Sequence, residues 1–231
     1  MKVIGLIGGM SWHSSLEYYR LINELVSRKL GGLHSARLVL YSLDFEEIEC
    51  AQQELRWEDA AVILAKAAIA LKQAGADFLV ICTNTMHKVA DEVGESAGLP
   101  ILHIVDTIGN AIGEQGLSKV GLLGTRFVMA ERFYQDRLKK SFDIEVVVPT
   151  EDEQAVVHRI IYKELCRGKV RDLDHQSCLQ IIDKLTKRGA EGIVLGCTEL
   201  PLLIRPGDIR VPVFDTTRLH AEAAVELALS E

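Results

Sequence analysis

The sequence predicts an α/β fold of two pseudo-symmetric, doubly wound domains with parallel sheets and an active-site cleft between the domains. Three observations lead there. Short, almost continuous apolar runs alternate with amphipathic stretches, as strands covered by helices on both faces require. Segments of the first half recur in the same order in the second. Several of the runs end in small polar residues, and open α/β sheets bind ligands beyond the carboxyl ends of their strands.

Taken in order, Val3–Ile7, Leu38–Leu43, Phe78–Cys82, Ile101–Val105, Val120–Leu123, Glu145–Val148, Gly192–Leu195 and Val211–Phe214 read as strands. Helical spacing marks Ser14–Lys29, which stops before Gly31 and Gly32, and Trp57–Gln73, which stops before Gly75. Ala130–Lys140, Glu153–Arg167, Asp174–Arg188 and Leu219–Leu229 complete the helices. Strand–helix alternation at this pace means βαβ units.

The duplication sharpens the picture. Lys2-Val3-Ile4-Gly5-Leu6-Ile7-Gly8 returns as Lys119-Val120-Gly121-Leu122-Leu123-Gly124, with Gly5 and Gly8 matching Gly121 and Gly124. Gly75-Ala76-Asp77, a strand, and Cys82-Thr83-Asn84-Thr85 return as Gly189-Ala190-Glu191, a strand, and Gly196-Cys197-Thr198-Glu199. Val211–Thr216 resembles His103–Thr107, so the last segment is expected to add a strand and a helix to the first half. The expected domains are residues 1–105 plus 213–231, and residues 106–212.

Composition bounds the function. The 231 residues carry 33 acidic and 26 basic side chains, a net charge of −7, with 48% apolar residues. A core of ordinary size can form. The acidic excess speaks against nucleic acid or an anionic membrane as partner, because phosphates call for a basic patch. No apolar run nears the ~20 residues needed to span a bilayer. The opening MKVIGLIGGMSW reads as a buried strand and turn, not a secretory signal, so the expected address is the cytoplasm. Five cysteines without C-x-x-C spacing suggest free thiols, with neither a disulfide framework nor a metal site.

Four strand ends carry candidates: Gly8-Gly9-Met10-Ser11, Cys82-Thr83-Asn84-Thr85, Gly124-Thr125-Arg126 and Gly196-Cys197-Thr198-Glu199. About a pseudo-twofold axis they would converge on one cleft, with position 83 across from 197. The Gly-Gly turn lacks both GxGxxG and P-loop spacing, so nucleotide binding is poorly supported; its expected role is to donate backbone N–H groups to a carboxylate. Cys197 ends an apolar strand near a helix start, a position expected to expose a thiol and lower its pKa from about 8.5. Cys82 is expected to pack on the other strand face.

These residues resemble the aspartate/glutamate racemase family. The likeness rests on Cys-Thr-Asn-Thr-Met-His (82–87), Gly-Cys-Thr-Glu-Leu (196–200) and the opening Gly-Leu-Ile-Gly-Gly-Met-Ser-Trp (5–12). It extends through Gly-Gly-Leu-His-Ser-Ala (31–36) and Val-Phe-Asp-Thr-Thr (213–217). Within the family it is nearest the L-aspartate/glutamate-specific and broad-specificity amino-acid racemases of enteric bacteria. The resemblance implies a homodimer that racemises a small acidic amino acid without pyridoxal phosphate, metal or nucleotide.

Racemisation takes a proton from one face of Cα and returns one to the other, so it needs two acid/base groups. The family's first motif normally offers cysteine where Thr83 stands, and a hydroxyl is a poor resting base at neutral pH. The expected catalytic pair is therefore unequal: Cys197 as thiolate and Thr83, directly or through water. Asn84, Thr85, Thr125, Thr198 and Glu199 are expected around the substrate, with the backbone N–H groups near Asn84-Thr85 and Thr198-Glu199 and their side chains as candidates to stabilise charge on its carboxylate. Lys163 is expected to hold a carboxylate, with Arg126 a further cation near the third strand end. Gln52 is expected as a hydrogen-bond partner and Met10 as a pocket wall. His87, one turn into a helix, is expected to be structural. The competing readings are a hydantoin racemase, maleate isomerase or malonate decarboxylase, and a catalytically silent amino-acid-binding module.

Overall fold

Parallel strands organise the computed structural model, which describes residues 1–230 as two units, each with its own sheet. The first unit comprises Met1–Ile104 together with the C-terminal residues from His220. Its sheet contains β1 (Ile4–Gly8), β2 (Leu38–Ser42) and β3 (Phe78–Ile81) in the order β2-β1-β3. Around it run α1 (Trp12–Leu30), α2 (Phe45–Gln53), α3 (Trp57–Gln73) and α4 (Ala90–Ala97). Alternation along the strands sorts the core into two layers. Ile4, Leu6, Phe78, Val80 and Cys82 pack with Tyr18 and Ile22 of α1, whereas Ile7, Leu79 and Ile81 pack with Ile48, Leu64 and Val93.

The second unit, Val105–Leu219, begins with α5 (Ile104–Glu114) and continues through β4 (Lys119–Gly124), α6 (Arg126–Ala130), α7 (Arg132–Phe142) and β5 (Glu145–Val147). Then come α8 (Glu151–Arg159), α9 (Asp172–Lys187), β6 (Gly192–Gly196), β7 (Val213–Asp215) and α10 (Thr216–Leu229). The strand order is β5-β4-β6-β7, all parallel. The matched glycines do the same job in each sheet. A Cβ on Gly5 would sit 2.9 Å from a Leu79 methyl, and one on Gly121 would sit 2.7 Å from Ile193, so each makes room for the next strand's side chain.

Two expectations need correction. Ile101–Val105 is not a strand: Ile101 makes one parallel bridge to Leu79, and the chain turns helical at Ile104. Ile104, Ile108 and Ile112 are all fully buried at helical spacing, and so short an apolar run fits a buried helix as well as a strand. The second concerns the last strand. Val213–Asp215 pairs with β6 in the second sheet instead of extending the first, because Ile193 N–H bonds to the Pro212 carbonyl (2.8 Å) and fixes that register. The helix after it does join the first unit. Ala221, Ala224, Val225 and Ala228 of α10 pack against Ile4, Leu6 and Phe78.

The kinship of residues 103–107 and 211–216 thus lies in the helix that each introduces. Both helices start past the fourth strand position, and both leave the unit of the strand before them. Thr216 still bonds the Leu195 carbonyl of β6 (2.9 Å), and Asp215 accepts from the N–H groups of Thr217 and Arg218 to start α10.

The turn after β1 shows how tightly a strand end is specified. Gly9 has φ +90°, and a Cβ there would lie 2.1 Å from the Leu43 carbonyl oxygen; Gly75 has φ +91° with open space around it. Gly75→Ala is expected to cost about 1 kcal/mol from backbone strain alone. Gly9→Ala meets backbone as well and is expected to cost about 3 kcal/mol or more. Urea unfolding followed by circular dichroism measures both; equal losses would contradict this account.

Candidate active site

In the first unit, chemistry gathers beyond β1 and β3. Ser11 caps α1, accepting from Ser14 N–H (3.5 Å), and Gly9 N–H donates to Ser15 Oγ (2.7 Å). That amide is engaged inside the turn, which corrects the expectation that Gly9 serves a bound carboxylate. Cys82 is fully buried among Ile4, Leu6 and Tyr18, and burial pushes its thiol pKa far up. Thr83 comes next, half-buried, before a 3-10 turn over Thr85–Val89. Two side chains clamp this corner: Ser14 Oγ donates to the Cys82 carbonyl (2.5 Å) and His87 Nδ1 contacts the Thr83 carbonyl oxygen (2.8 Å). Asn84 and Thr85 are both buried beside it. Met10 lies in the core with Met86, and Gln52, 2% exposed, donates from Nε2 to Met86 Sδ (3.0 Å). In this structure Met10 and Gln52 therefore engage their own unit's core.

In the second unit, β6 ends at Gly196 and Cys197 enters a turn that becomes a 3-10 helix over Leu200–Leu202. Cys197 is only 7% exposed and packs with Leu195, Ile160 and Leu200. Its Sγ donates to Glu199 Oε2 (3.0 Å), and Thr198 Oγ donates to the same oxygen (2.6 Å). Burial, and then the Glu199 carboxylate, push the thiol pKa well above its ordinary value, with Cys166 adding to the effect. The expected exposed, low-pKa thiol is corrected accordingly. The apolar neighbours remove water from the sulfur, and the adjacent carboxylate opposes a second negative charge.

Beside this turn, Thr125 caps α6 by accepting from Val128 N–H (3.4 Å), and Gly124 is in register with Gly196. His158 of α8 accepts from Arg126 N–H (3.3 Å) and its ring lies 4.5 Å from that of Tyr162. The helix widens into a π turn over Ile160–Glu164, a distortion that recurs at functional sites. It buries Ile160 and Ile161 in the cluster that holds Cys197 and leaves Lys163 exposed. Arg126 is exposed too, its guanidinium 4.8 Å from the Phe127 ring.

Each unit thus assembles its own set. Thr83, Asn84 and Thr85 stand together in the first; Cys197, Thr198 and Glu199 are hydrogen-bonded together in the second, with Thr125 on the neighbouring strand end. Two features escaped the sequence reading. Glu199 is the thiol's hydrogen-bond partner, and its position two residues after Cys197 was the available signal. The other is a cluster of buried histidines, His87, His103 and His220, whose members are far apart in sequence. Among the described residues no group of His, Cys, Asp or Glu is arranged to hold a metal ion, and no helix is long and apolar enough to cross a membrane.

Known proteins share this arrangement over the whole chain. The solved structure of a Yersinia pestis protein described as a candidate Asp/Glu racemase is 51% identical, with a TM-score of 0.94 and all of both chains covered. An aspartate racemase homologue from Pyrococcus horikoshii OT3 is 38% identical, with a TM-score of 0.87 and both chains again fully covered. The broad specificity amino-acid racemase RacX of Bacillus subtilis (strain 168) is 21% identical over 235 residues, 99% of each chain. A family model, Asp/Glu/Hydantoin racemase, matches residues 7–224, which include both strand-end motifs. With its duplicated parallel sheets and a Thr-Asn-Thr and a Cys-Thr-Glu turn at matching strand ends, this chain belongs to the Asp/Glu/Hydantoin racemase family and is an isomerase.

Proposed function

We propose that this protein is a cofactor-independent racemase of acidic amino acids, L-aspartate or L-glutamate, with Cys197 and Thr83 acting on opposite faces of Cα. One observation carries the reading: a buried thiol at a strand end donates to a carboxylate 3.0 Å away, while the matching strand end offers a hydroxyl.

Pulling a proton from Cα beside a carboxylate makes an unstable carbanion, so the base must be strong and correctly placed. Cys197 rests as a thiol. To act as base it gives its proton to Glu199 along the existing hydrogen bond. That transfer is uphill beside an anionic Glu199 and eases when a substrate ammonium arrives, because a nearby cation favours thiolate. Thr198, donating to the same Glu199 oxygen, holds the carboxylate in place. The resulting thiolate removes the Cα proton from one enantiomer, and Thr83 delivers a proton to the other face, directly or through water.

The Thr83 hydroxyl is too weak an acid to be a resting base, so the two directions differ kinetically. Equilibrium between mirror images remains one, which requires unequal turnover numbers to be balanced by unequal Michaelis constants. Asn84, Thr85, Thr125 and Thr198 supply hydrogen bonds to the substrate, and Lys163 pairs with its side-chain carboxylate. Gln52 and Met10 complete the pocket only if the substrate displaces their present contacts. The protein acts as a homodimer in this reading, supported by exposed apolar residues on α1 (Trp12, Leu16, Tyr19) and on edge strand β2 (Leu40, Tyr41).

Three experiments test this. Incorporation of deuterium at Cα in heavy water, scanned across the twenty amino acids by NMR, is expected for aspartate or glutamate and to fall about 10³-fold in Cys197→Ser. Lys163→Met in the same assay is expected to raise KM for the acidic substrate about tenfold with little change in kcat. Absence of exchange with every amino acid would point to a binding module, unchanged exchange in Cys197→Ser would remove the thiol from the proton path, and a decarboxylated or geometrically isomerised product would point to one of the related enzymes.

Glu199→Gln removes a charge that raises the thiol pKa. Alkylation of Cys197 by iodoacetamide at pH 8, read by peptide mass spectrometry, is therefore expected to speed up several-fold while racemisation slows at least about tenfold. Faster racemisation would remove Glu199 from the proton path. Finally, sedimentation should give twice the 25.6 kDa chain mass, and Leu16→Glu with Tyr19→Arg should give the single chain; a monomeric wild type would refute the dimer.

A further inference from the structure

We propose that His87 is a positioning residue for Thr83, its imidazole fixing the Thr83 backbone carbonyl and thereby aiming the hydroxyl at the substrate. This role deepens the proposed racemase mechanism and rests on Thr83 being the second acid/base group.

Thr83 lies past the end of β3 and before the 3-10 turn, outside the ladder that orients the strand residues. His87 Nδ1 meets its carbonyl oxygen at 2.8 Å. A carbonyl can only accept, so Nδ1 carries the proton and the tautomer is set. Nε2 is then bare, and it is buried without a hydrogen-bond partner. Such an arrangement is costly unless something else holds the ring.

Two further imidazoles do so. His103 and His220 approach the His87 ring edge-on, at centroid distances of 4.8 and 5.5 Å, both tilted by 65°. His220 is itself pinned: its Nε2–H donates to the Leu102 carbonyl (2.8 Å), which leaves Nδ1 to accept from Tyr18 Oη (2.8 Å). Burial and the neighbouring imidazoles hold His87 well below its ordinary pKa, and burial lowers His220 to about 4. Both rings therefore stay neutral at working pH and the tautomer does not switch.

Comparison with the second unit gives the brace a purpose. The residue four places after Cys197 is Pro201, inside the 3-10 turn, as His87 is four places after Thr83. One copy of the turn is stiffened by a ring closed on its own backbone. The other is stiffened by a ring that reaches back to the residue proposed to act. A weak acid such as a hydroxyl tolerates misalignment badly, since small displacements of a reacting group cost orders of magnitude in rate.

The test separates the two faces. Starting in heavy water from the enantiomer that Cys197 deprotonates, deuterium entering the recovered starting enantiomer reports the Cys197 step, and appearance of the opposite enantiomer requires the Thr83 step as well. His87→Phe keeps a ring and loses the donor; it is expected to lower the ratio of inversion to exchange at least about tenfold. His87→Asn keeps a donor at the Nδ1 position and is expected to restore the ratio to within about twofold of wild type. His103→Phe disturbs the same cluster while leaving the His87 donor to the Thr83 carbonyl in place, and is expected to lower Tm and leave the ratio alone. If His87→Phe does not fold, His87→Gln, whose amide falls on the Nε2 side, takes its place with the same expectation. Thr83→Ala run alongside fixes the meaning of each result. If it leaves the ratio unchanged, the reading of Thr83 fails. If it lowers the ratio and the His87 donor-loss variant does not, or if that variant slows both processes equally, only the positioning role is overturned.

Discussion

The protonated state of one buried sulfur is the constraint to which the rest of the site answers. Cys197 sits among Leu195, Ile160 and Leu200 with a carboxylate as its hydrogen-bond partner, and both surroundings disfavour thiolate. A base of this kind is latent. In the mechanism proposed above it becomes competent only when the charge balance around it changes, through the ammonium that an amino acid brings. On that proposal substrate binding offsets the cost of desolvating the sulfur; a thiol held neutral is in any case protected from stray electrophiles and oxidants.

Gene duplication explains the scaffold and divergence explains the chemistry. The strand orders β2-β1-β3 and β5-β4-β6-β7 match once the single bridge at Ile101 is counted as a vestigial fourth strand. Gly5 and Gly121 open equivalent gaps for Leu79 and Ile193. The copies part company where the strands end: Thr83 against Cys197, Thr85 against Glu199, His87 against Pro201. The proposed mechanism thus sets a symmetric reaction scheme on chemically unequal strand ends of a nearly symmetric frame.

Much of this was legible in the amino-acid order. Near-continuous apolar runs at 4–7 and 78–81, and helical spacing in 57–73, report local geometry and survive unchanged in the structure. The run Ile101–Val105 misled because five residues are too few for periodicity to separate a strand from the approach to a buried helix. The helix at Phe45–Gln53 is too short and too charged to announce itself, although Asp44 caps it. The partner of Val213–Asp215 was not legible either, since pairing is a long-range choice that the strand's own composition does not encode. The same holds for Cys197: its position after a strand was readable, but its burial depends on Ile160 and Leu165, over thirty residues away, so the sign of the pKa shift was not. Histidines 87, 103 and 220 meet only through the fold.

The exchange of helices near the chain's two crossovers has a consequence for biosynthesis. Ile4, Leu6 and Phe78 are covered by α10, and Lys2 N–H bonds the Ala228 carbonyl (2.8 Å). A nascent polypeptide leaving the ribosome would therefore carry an uncapped apolar sheet face from the synthesis of β1 until α10 followed. Closing so long a loop is slow, and exposed strand surface invites self-association meanwhile. Chaperone occupancy of partially synthesised chains should accordingly persist until the α10 segment has emerged.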